Sequence, residues 1–187
     1  MKSFTSFLSE AFEVQDRDPK AKQVSIFLGR MQPIHKAHEL IIKGMKNPIV
    51  VLVKGKASSE DKSRNPFDAE YQKKLLKILD KKIQVREFPT GYIPGIAADM
   101  RAEGMEVVAI HAGEDRIGGY KSQFDKLNLP PEKEFHIKYV QTSDEVRKMV
   151  SATQVRNAIK TGDEKSFKEY MPTKLHGEFG TMRKKME

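Results

Sequence analysis

Short runs of apolar, β-branched residues alternate along the chain with longer stretches of helical periodicity. Residues 24–28 (VSIFL) form one apolar run, which ends at Gly29, and residues 49–53 (IVVLV) form a second that is apolar at every position. A strand apolar throughout is buried on both faces, as in parallel sheets. Residues 82–88, 106–111 (EVVAIH) and 134–140 (EFHIKYV) predict three further strands. Predicted helices lie between them. Residues 37–45 place Leu40, Ile41 and Met45 on one side, residues 67–82 space Phe67, Tyr71, Leu75 and Leu79 by four, and residues 96–103 close at Gly104. Helices are also predicted over 116–127, 153–160 and 163–170. Strand and helix alternating at this spacing predict an α/β chain: a Rossmann-like, five-stranded parallel sheet with helices on both faces. In such folds ligands bind at the carboxyl ends of the strands.

A length of 187 residues suits one domain. Residues 23–172 carry the alternating pattern. Residues 1–22 precede it as an N-terminal peptide, and residues 173–187 follow as a polar, basic tail with Gly177, Gly180 and the cluster Arg183-Lys184-Lys185. With 38% hydrophobic residues the chain can build a core, which a disordered chain cannot. The absence of cysteine excludes a disulfide framework, thiolate zinc sites and cysteine nucleophiles. No apolar run approaches the roughly 18 residues that cross a bilayer, and no secretory signal is visible. A cytoplasmic protein with no membrane partner is expected. Lys plus Arg total 34 against 26 Asp plus Glu, a net charge of +8. Nucleic acid, a small polyphosphate and plain solvation each fit a basic excess. No arginine-rich block or zinc-finger spacing occurs, and many lysines (Lys73, Lys74, Lys77, Lys81, Lys82) fall on helical faces, which favours solvation over nucleic acid.

Two segments change this picture. Gly29-Arg30-Met31-Gln32-Pro33-Ile34-His35-Lys36-Ala37-His38 follows the first predicted strand directly. Gly29 permits a sharp turn and close approach of a ligand, and Pro33 keeps the preceding backbone extended. His35 and His38 are three apart at the start of a helix, so they project to one side. Free N–H groups at a helix N-terminus suit phosphate, and Arg30 and Lys36 add fixed charge. A bare pair of histidines at this spacing is common without chemistry; its place between strand and helix gives it weight.

The second segment, Ser151-Ala152-Thr153-Gln154-Val155-Arg156, opens a helix after the last predicted strand. Thr153 is suited to cap it, Gly162 to end it, and Asp163 to start the next. Arg156 then points from the first turn. Between the two segments, Asn65 and Pro66 read as the cap and first position of a helix preceded by Arg64. Ala112-Gly113-Glu114-Asp115-Arg116 follows the fourth strand, at the ligand edge. Tyr92 and Tyr120 are candidates to stack on a ring, since the chain has no Trp. His111, His136 and His176 suggest no constellation.

The Gly-Arg-x-Gln-Pro-x-His-x-x-His string resembles the nucleotidyltransferase superfamily that carries the HxGH signature. It looks most like the short nicotinamide-mononucleotide adenylyltransferases of archaeal and phage type (cytidylyltransferase-like proteins), whose motif reads close to GRFQPxHxGH. Ala37 stands where that signature has Gly. Val150 through Arg156 resembles the superfamily's second signature, [IV]-S-x-T-x-x-R. The stretch from Asn65 to Glu70 resembles an NPF-x-A-x-E segment of the short enzymes, and Gly113 to Arg116 a G-x-D-R turn. The resemblance covers roughly Val24 to Met171. It implies that a nucleoside triphosphate, ATP first, is joined to a phosphate-bearing acceptor, nicotinamide mononucleotide first, with release of pyrophosphate. It also implies roles: His35, His38 and Arg156 catalytic; Gly29, Arg30, Met31, Pro33, Lys54, Ser151 and Thr153 on the nucleotide; Arg64, Asn65, Asp115, Arg116, Tyr92 and Tyr120 toward the acceptor. Mg²⁺ would arrive with the phosphates, with no dedicated protein metal site. Another acceptor, a cytidylyltransferase, and a nucleotide-binding protein without turnover remain open at this point, as does a homo-oligomer.

Residues 1–11 are amphipathic at helical spacing (Phe4, Phe7, Leu8, Ala11). They fit a short packed helix. They also resemble the capsid-targeting peptides of tailed phages, cut after Leu-x-Glu, here Leu8-Ser9-Glu10. That resemblance implies a phage source and packaging in the virion.

Overall fold

A computed structural model describes residues 14–54 and 61–187. The capsid-targeting expectation for Leu8-Ser9-Glu10 lies outside the described residues.

Five strands, β1 (Lys22–Gly29), β2 (Pro48–Val53), β3 (Gln84–Phe88), β4 (Met105–Ala112) and β5 (Lys138–Gln141), form one sheet in the order β3-β2-β1-β4-β5. Every neighbouring pair is parallel. The chain runs outward from β1 through β2 to β3, then returns to lay β4 on the other side of β1, so the strand order reverses between β1 and β4. Gly29, Val53, Phe88, Ala112 and Gln141 end the strands on one edge. The fifth strand is shorter than the apolar pattern suggests: only residues 138–141 pair with β4, while Phe135 and Ile137 pack against the core without joining the ladder.

The helices are α1 (Lys36–Lys43), α2 (Ala69–Leu79), α3 (Ile93–Ala102), α4 (Glu114–Asp125), α5 (Asp144–Met149), α6 (Ala152–Thr161), α7 (Glu164–Tyr170) and α8 (Phe179–Met186). Alternation along each strand sends side chains to opposite faces. Phe27, Val50 and Leu52 join the layer of α1, α2 and α6 to α8; Val24, Ile26, Ile49 and Val51 join the layer of α3 with Met105, Val107 and Ile110. Tyr71, Leu75 and Leu79 of α2 are buried as their spacing predicts, with Leu75 at 0% exposure, and Phe67 is buried just ahead of the helix, which starts two residues later than its spacing suggests. On α1 Ala37 and Ile42 are buried; of the expected face, Met45 is buried and Ile41 packs against the core, while Leu40 is 46% exposed, which corrects its inward placement. Among the described residues no helix is long and apolar enough to cross a membrane.

The first described residues and the last fifteen both pack against the rest of the chain. Val14 is buried, and the carbonyl of Gln15 accepts from the Arg101 guanidinium at 3.1 Å. Arg101, itself buried, pairs with both oxygens of Glu106 at 2.6 and 2.8 Å and donates to the carbonyls of Lys133 and Glu134 at 2.8 and 3.0 Å. A buried guanidinium is tolerated only with its donors met in this way. The expected basic tail, 173–187, is a 3-10 turn (Thr173–Glu178) and the helix α8, with Leu175 and Met182 both at 0% exposure. Leu175, Phe179, Met182 and Met186 lie on the inner side of the segment and put the basic residues outside, so the tail belongs to the domain.

Candidate functional site

β1 leads straight into the first motif. Gly29 remains the last extended residue of the strand, and the left-handed backbone falls on Met31, at φ 46°. Gly29 does not make the turn: a Cβ there would stand 3.0 Å from Met31 Cε, the tip of a side chain that would have to give by a few tenths of an ångström. Met31, Pro33 and Ile34 are buried, so this stretch can offer a ligand mainly its backbone. Gln32, given no role by the motif reading, locks the turn. Its side-chain amide donates to the Phe67 carbonyl at 2.7 Å and its Oε1 accepts from the Phe67 N–H at 3.0 Å. That clamp also holds the backbone of Phe67 out of the following helix. α2 is therefore capped by Asp68, whose Oδ1 accepts from the Tyr71 N–H at 2.7 Å, and not by Asn65.

His35 is the N-cap residue of α1 but makes no side-chain cap, which leaves the first N–H groups of the helix without that partner. Its ring stacks on that of His38, centroids 3.7 Å apart and planes 22° apart. Burial pushes His35 down to about 4. Burial, reinforced by His35, holds His38 well below the usual histidine range. Two neutral imidazoles thus face each other at pH 7, and the Nδ1 of each is buried with no hydrogen-bond partner among the described residues. Ala37, between them, is 4% exposed and packs into the core. Its Cβ is covered by protein and lines no open path to the backbone.

The second motif meets the first. Arg156 on α6 donates from Nη1 to the Gln32 carbonyl at 2.6 Å and from Nη2 to Thr153 Oγ1 at 3.1 Å. Burial and the nearby positive charges of Arg64 and Arg30 disfavour its charged form, opposed by Asp61. Three arginines brought together repel one another, and an anion between them would relieve that repulsion. Ser151, rather than Thr153, caps α6: its Oγ accepts from the Gln154 N–H at 3.3 Å, and Gln154 Oε1 accepts from the Ser151 N–H at 2.8 Å. The Ser151 hydroxyl is engaged in this capping box, and Thr153 orients Arg156 instead.

Two cavities open on the carboxyl edge, one on each face of the sheet, and share Gly29, Arg30 and Val53. The first, about 660 Å³, lies toward α2 and carries Arg30, Lys54, Lys62 and Lys185 against Asp68 and Glu70. Lys54 pairs with Glu87, which also pairs with Lys73. Asn65 lines this cavity too; its Nδ2 donates to the Asp61 carbonyl at 3.2 Å and its buried Oδ1 has no partner among the described residues. Arg64 stands in the adjoining Asp61 turn, its N–H 3.1 Å from Asp61 Oδ1. The second cavity, about 600 Å³, lies toward α4 and is lined by Phe27, Leu28, Tyr120, Gln123, Asp115 and Arg116 among others. Asp115 reaches Arg116 at 3.4 Å and Arg147 of α5 at 3.9 Å. Gly91 lines this cavity, whereas Tyr92 is the N-cap residue of α3. The acceptor candidates therefore divide: Arg64 and Asn65 on one side, Asp115, Arg116 and Tyr120 on the other. Gln32, Lys62 and Lys185 were not singled out from sequence. The apolar spacing of Leu175, Phe179, Met182 and Met186 was the signal that could have brought the last helix, and Lys185 with it, to the site.

No protein-family model and no curated protein matches this chain by sequence. Solved structures do match. A Vibrio parahaemolyticus protein provisionally named a nicotinate-nucleotide adenylyltransferase superposes with a TM-score of 0.56 at 13% identity, over 86% of this chain and 98% of that one. Plasmodium falciparum nicotinic acid mononucleotide adenylyltransferase gives 0.54 in complex with NaAD and 0.51 in complex with APC, each at 14% identity over 86% of this chain and 96% of the other. At such identities the likeness is one of architecture: this chain has the Rossmann-like α/β fold of those adenylyltransferases.

Proposed function

We propose that this protein is a nucleotidyltransferase that joins ATP to a pyridine mononucleotide, releasing pyrophosphate. The observation that carries the reading is the 2.6 Å contact between Arg156 and the Gln32 carbonyl, which brings the arginine of the second motif onto the turn of the histidine motif. The shared fold and the paired cavities on either side of Gly29 and Arg30 support it, since the reaction needs two substrates to meet end to end.

In the proposed reaction an oxygen of the acceptor phosphate attacks the α-phosphorus, the bond to the bridging oxygen breaks, and pyrophosphate leaves with the electron pair. The chain supplies no nucleophile. It holds both phosphates in line and stabilises charge as it develops. His35 and His38, neutral at the N-terminus of α1, donate to the α-phosphate and bridging oxygens. Arg30 and Arg156 hold the departing phosphates, with Arg64 adding field. The second cavity takes a ring against Tyr120, with Asp115, Arg116 and Gln123 to hydrogen-bond its substituents. Among the described residues no group of three or more metal-ligating side chains occurs, and the basic cavity is richer in cations than carboxylates. A magnesium ion fits this site when carried by the phosphate oxygens and water, where it would neutralise triphosphate charge.

The Cβ of Ala37 is turned into the core, so the departure from the HxGH glycine does not block the site. Incubation with each of the four triphosphates, Mg²⁺ and either nicotinamide or nicotinate mononucleotide, with pyrophosphate measured, tests the reading. Release with ATP and one mononucleotide is expected. No release with any pair removes the transferase.

A further inference from the structure

The last helix delivers a cation to the basic cavity. Lys185 on α8 lines it together with Arg30, Lys54 and Lys62. Its Nζ lies 3.3 Å from Asp68 Oδ2 and 4.8 Å from the centre of the Tyr71 ring. Other contacts dock the helix. Met182 is fully buried, the Phe179 ring sits 4.9 Å from that of Phe167, and just before α8 Glu178 accepts from the Tyr71 hydroxyl at 2.8 Å and from Lys74 at 2.9 Å. Asp68 does not account for the lysine either: its other oxygen already caps α2, and an ion pair whose members are 37% and 63% exposed adds little stability. Arg30, Lys54, Lys62 and Lys185 line the cavity against Asp68 and Glu70. It therefore presents an excess of cations. A phosphate ester satisfies it.

We infer that Lys185 is a phosphate-binding residue of this site, its ammonium exchanging Asp68 for an oxyanion of the bound ligand, so that the C-terminal helix forms part of the binding wall. The inference draws on the nucleotidyltransferase reading only for what the phosphate is attached to. Two sources share the chemistry: the polyphosphate tail of a nucleoside triphosphate and the monoester of a mononucleotide acceptor.

Calorimetric titration of the full-length protein with inorganic pyrophosphate and, separately, with nicotinamide mononucleotide distinguishes them. Lys185→Gln is expected to weaken one of the two about 10-fold, the usual loss for a charge-assisted hydrogen bond. Asp68→Asn, which keeps an oxygen to cap α2, leaves that ligand bound as tightly or more tightly, because it frees the lysine. A pair that only supports the fold would make both variants lose affinity alike, and that result overturns the inference. So does unchanged affinity for both ligands in Lys185→Gln, or a wild-type protein that binds neither. Turnover reports separately: pyrophosphate binding that depends on Lys185, in a protein that releases none from any triphosphate, keeps this inference and removes the transferase.

Discussion

His35 and His38 lie too close to be charged together. At about 4 Å and an effective dielectric near 20, two unit charges repel by about 4 kcal/mol, and burial adds to the cost. Both imidazoles therefore stay neutral in the folded chain at pH 7, and this has a consequence for stability. Below its ordinary value of 6.5 a histidine in the unfolded chain takes up a proton, while folded His35 does so only near 4. Between those values the unfolded state binds more protons, so stability falls as pH falls, by about 3 kcal/mol for His35 by pH 4. Urea unfolding from pH 7 to pH 4 should show this loss, and His35→Asn should remove part of the slope; an unaltered slope in the variant would place the ring in water. For the proposed reaction, His38→Ala should lower kcat by about 10²–10³-fold with little change in KM, since its donation grows as charge builds on the phosphate. A variant with parental kcat ends that role. These residues were legible because the motif fixes identity at fixed spacing. The Gln32 clamp on Phe67 was not, because nothing local in the chain announces a partner 35 positions away.

Helix α6 shows how an element sets the position of a charge. Its capping box, Ser151 with Gln154, fixes where the first turn starts, and Thr153 then steers Arg156 toward the Gln32 carbonyl. Loss of the cap should cost about 1 kcal/mol of stability and loosen that register. Ser151→Ala is thus expected to lower the melting temperature by a few degrees and to weaken pyrophosphate binding modestly, whereas Thr153→Val should spare stability and weaken binding more. Equal effects of both variants on binding would mean that Thr153 does not orient the arginine. The element could be anticipated from its apolar spacing and from Gly162, which does close it at φ 73°. The choice of capping residue could not, since Ser151 and Thr153 are both competent caps and the start of the first turn is decided by Val155 finding the core. α5 was missed for a related reason. With six residues and none buried, it has no apolar stripe to read, only Ser143 accepting from the Val146 N–H at 3.4 Å.

The molecule as a whole is divided by its sheet into two apolar layers of unequal depth. The layer of α1 and α2 extends through Val155, Ile159 and Phe167 to Leu175 and Met182, so the end of the chain finishes the same core that the first motif begins with Met31 and Ile34. The parallel sheet was readable from alternation, but its strand order and the membership of residues 173–187 were not: two glycines and the run Arg183-Lys184-Lys185 suggest solvent, and only the three- and four-residue spacing beneath them shows an inner face. This continuity makes the last helix structural as well as local to the basic cavity. Met182→Ala should cost about 2–5 kcal/mol through lost burial and the cavity left behind. For a domain of this size that lowers the melting temperature by roughly 5–15 °C. Removal of residues 173–187 should be worse, because it also strips Leu175 and Phe179 from the core and the Glu178 contacts to Tyr71 and Lys74. Thermal unfolding followed by circular dichroism checks both. A truncated chain that melts within a degree or two of the full-length protein would mean that α8 does not rest on this core, and Lys185 would then have no fixed place at the cavity.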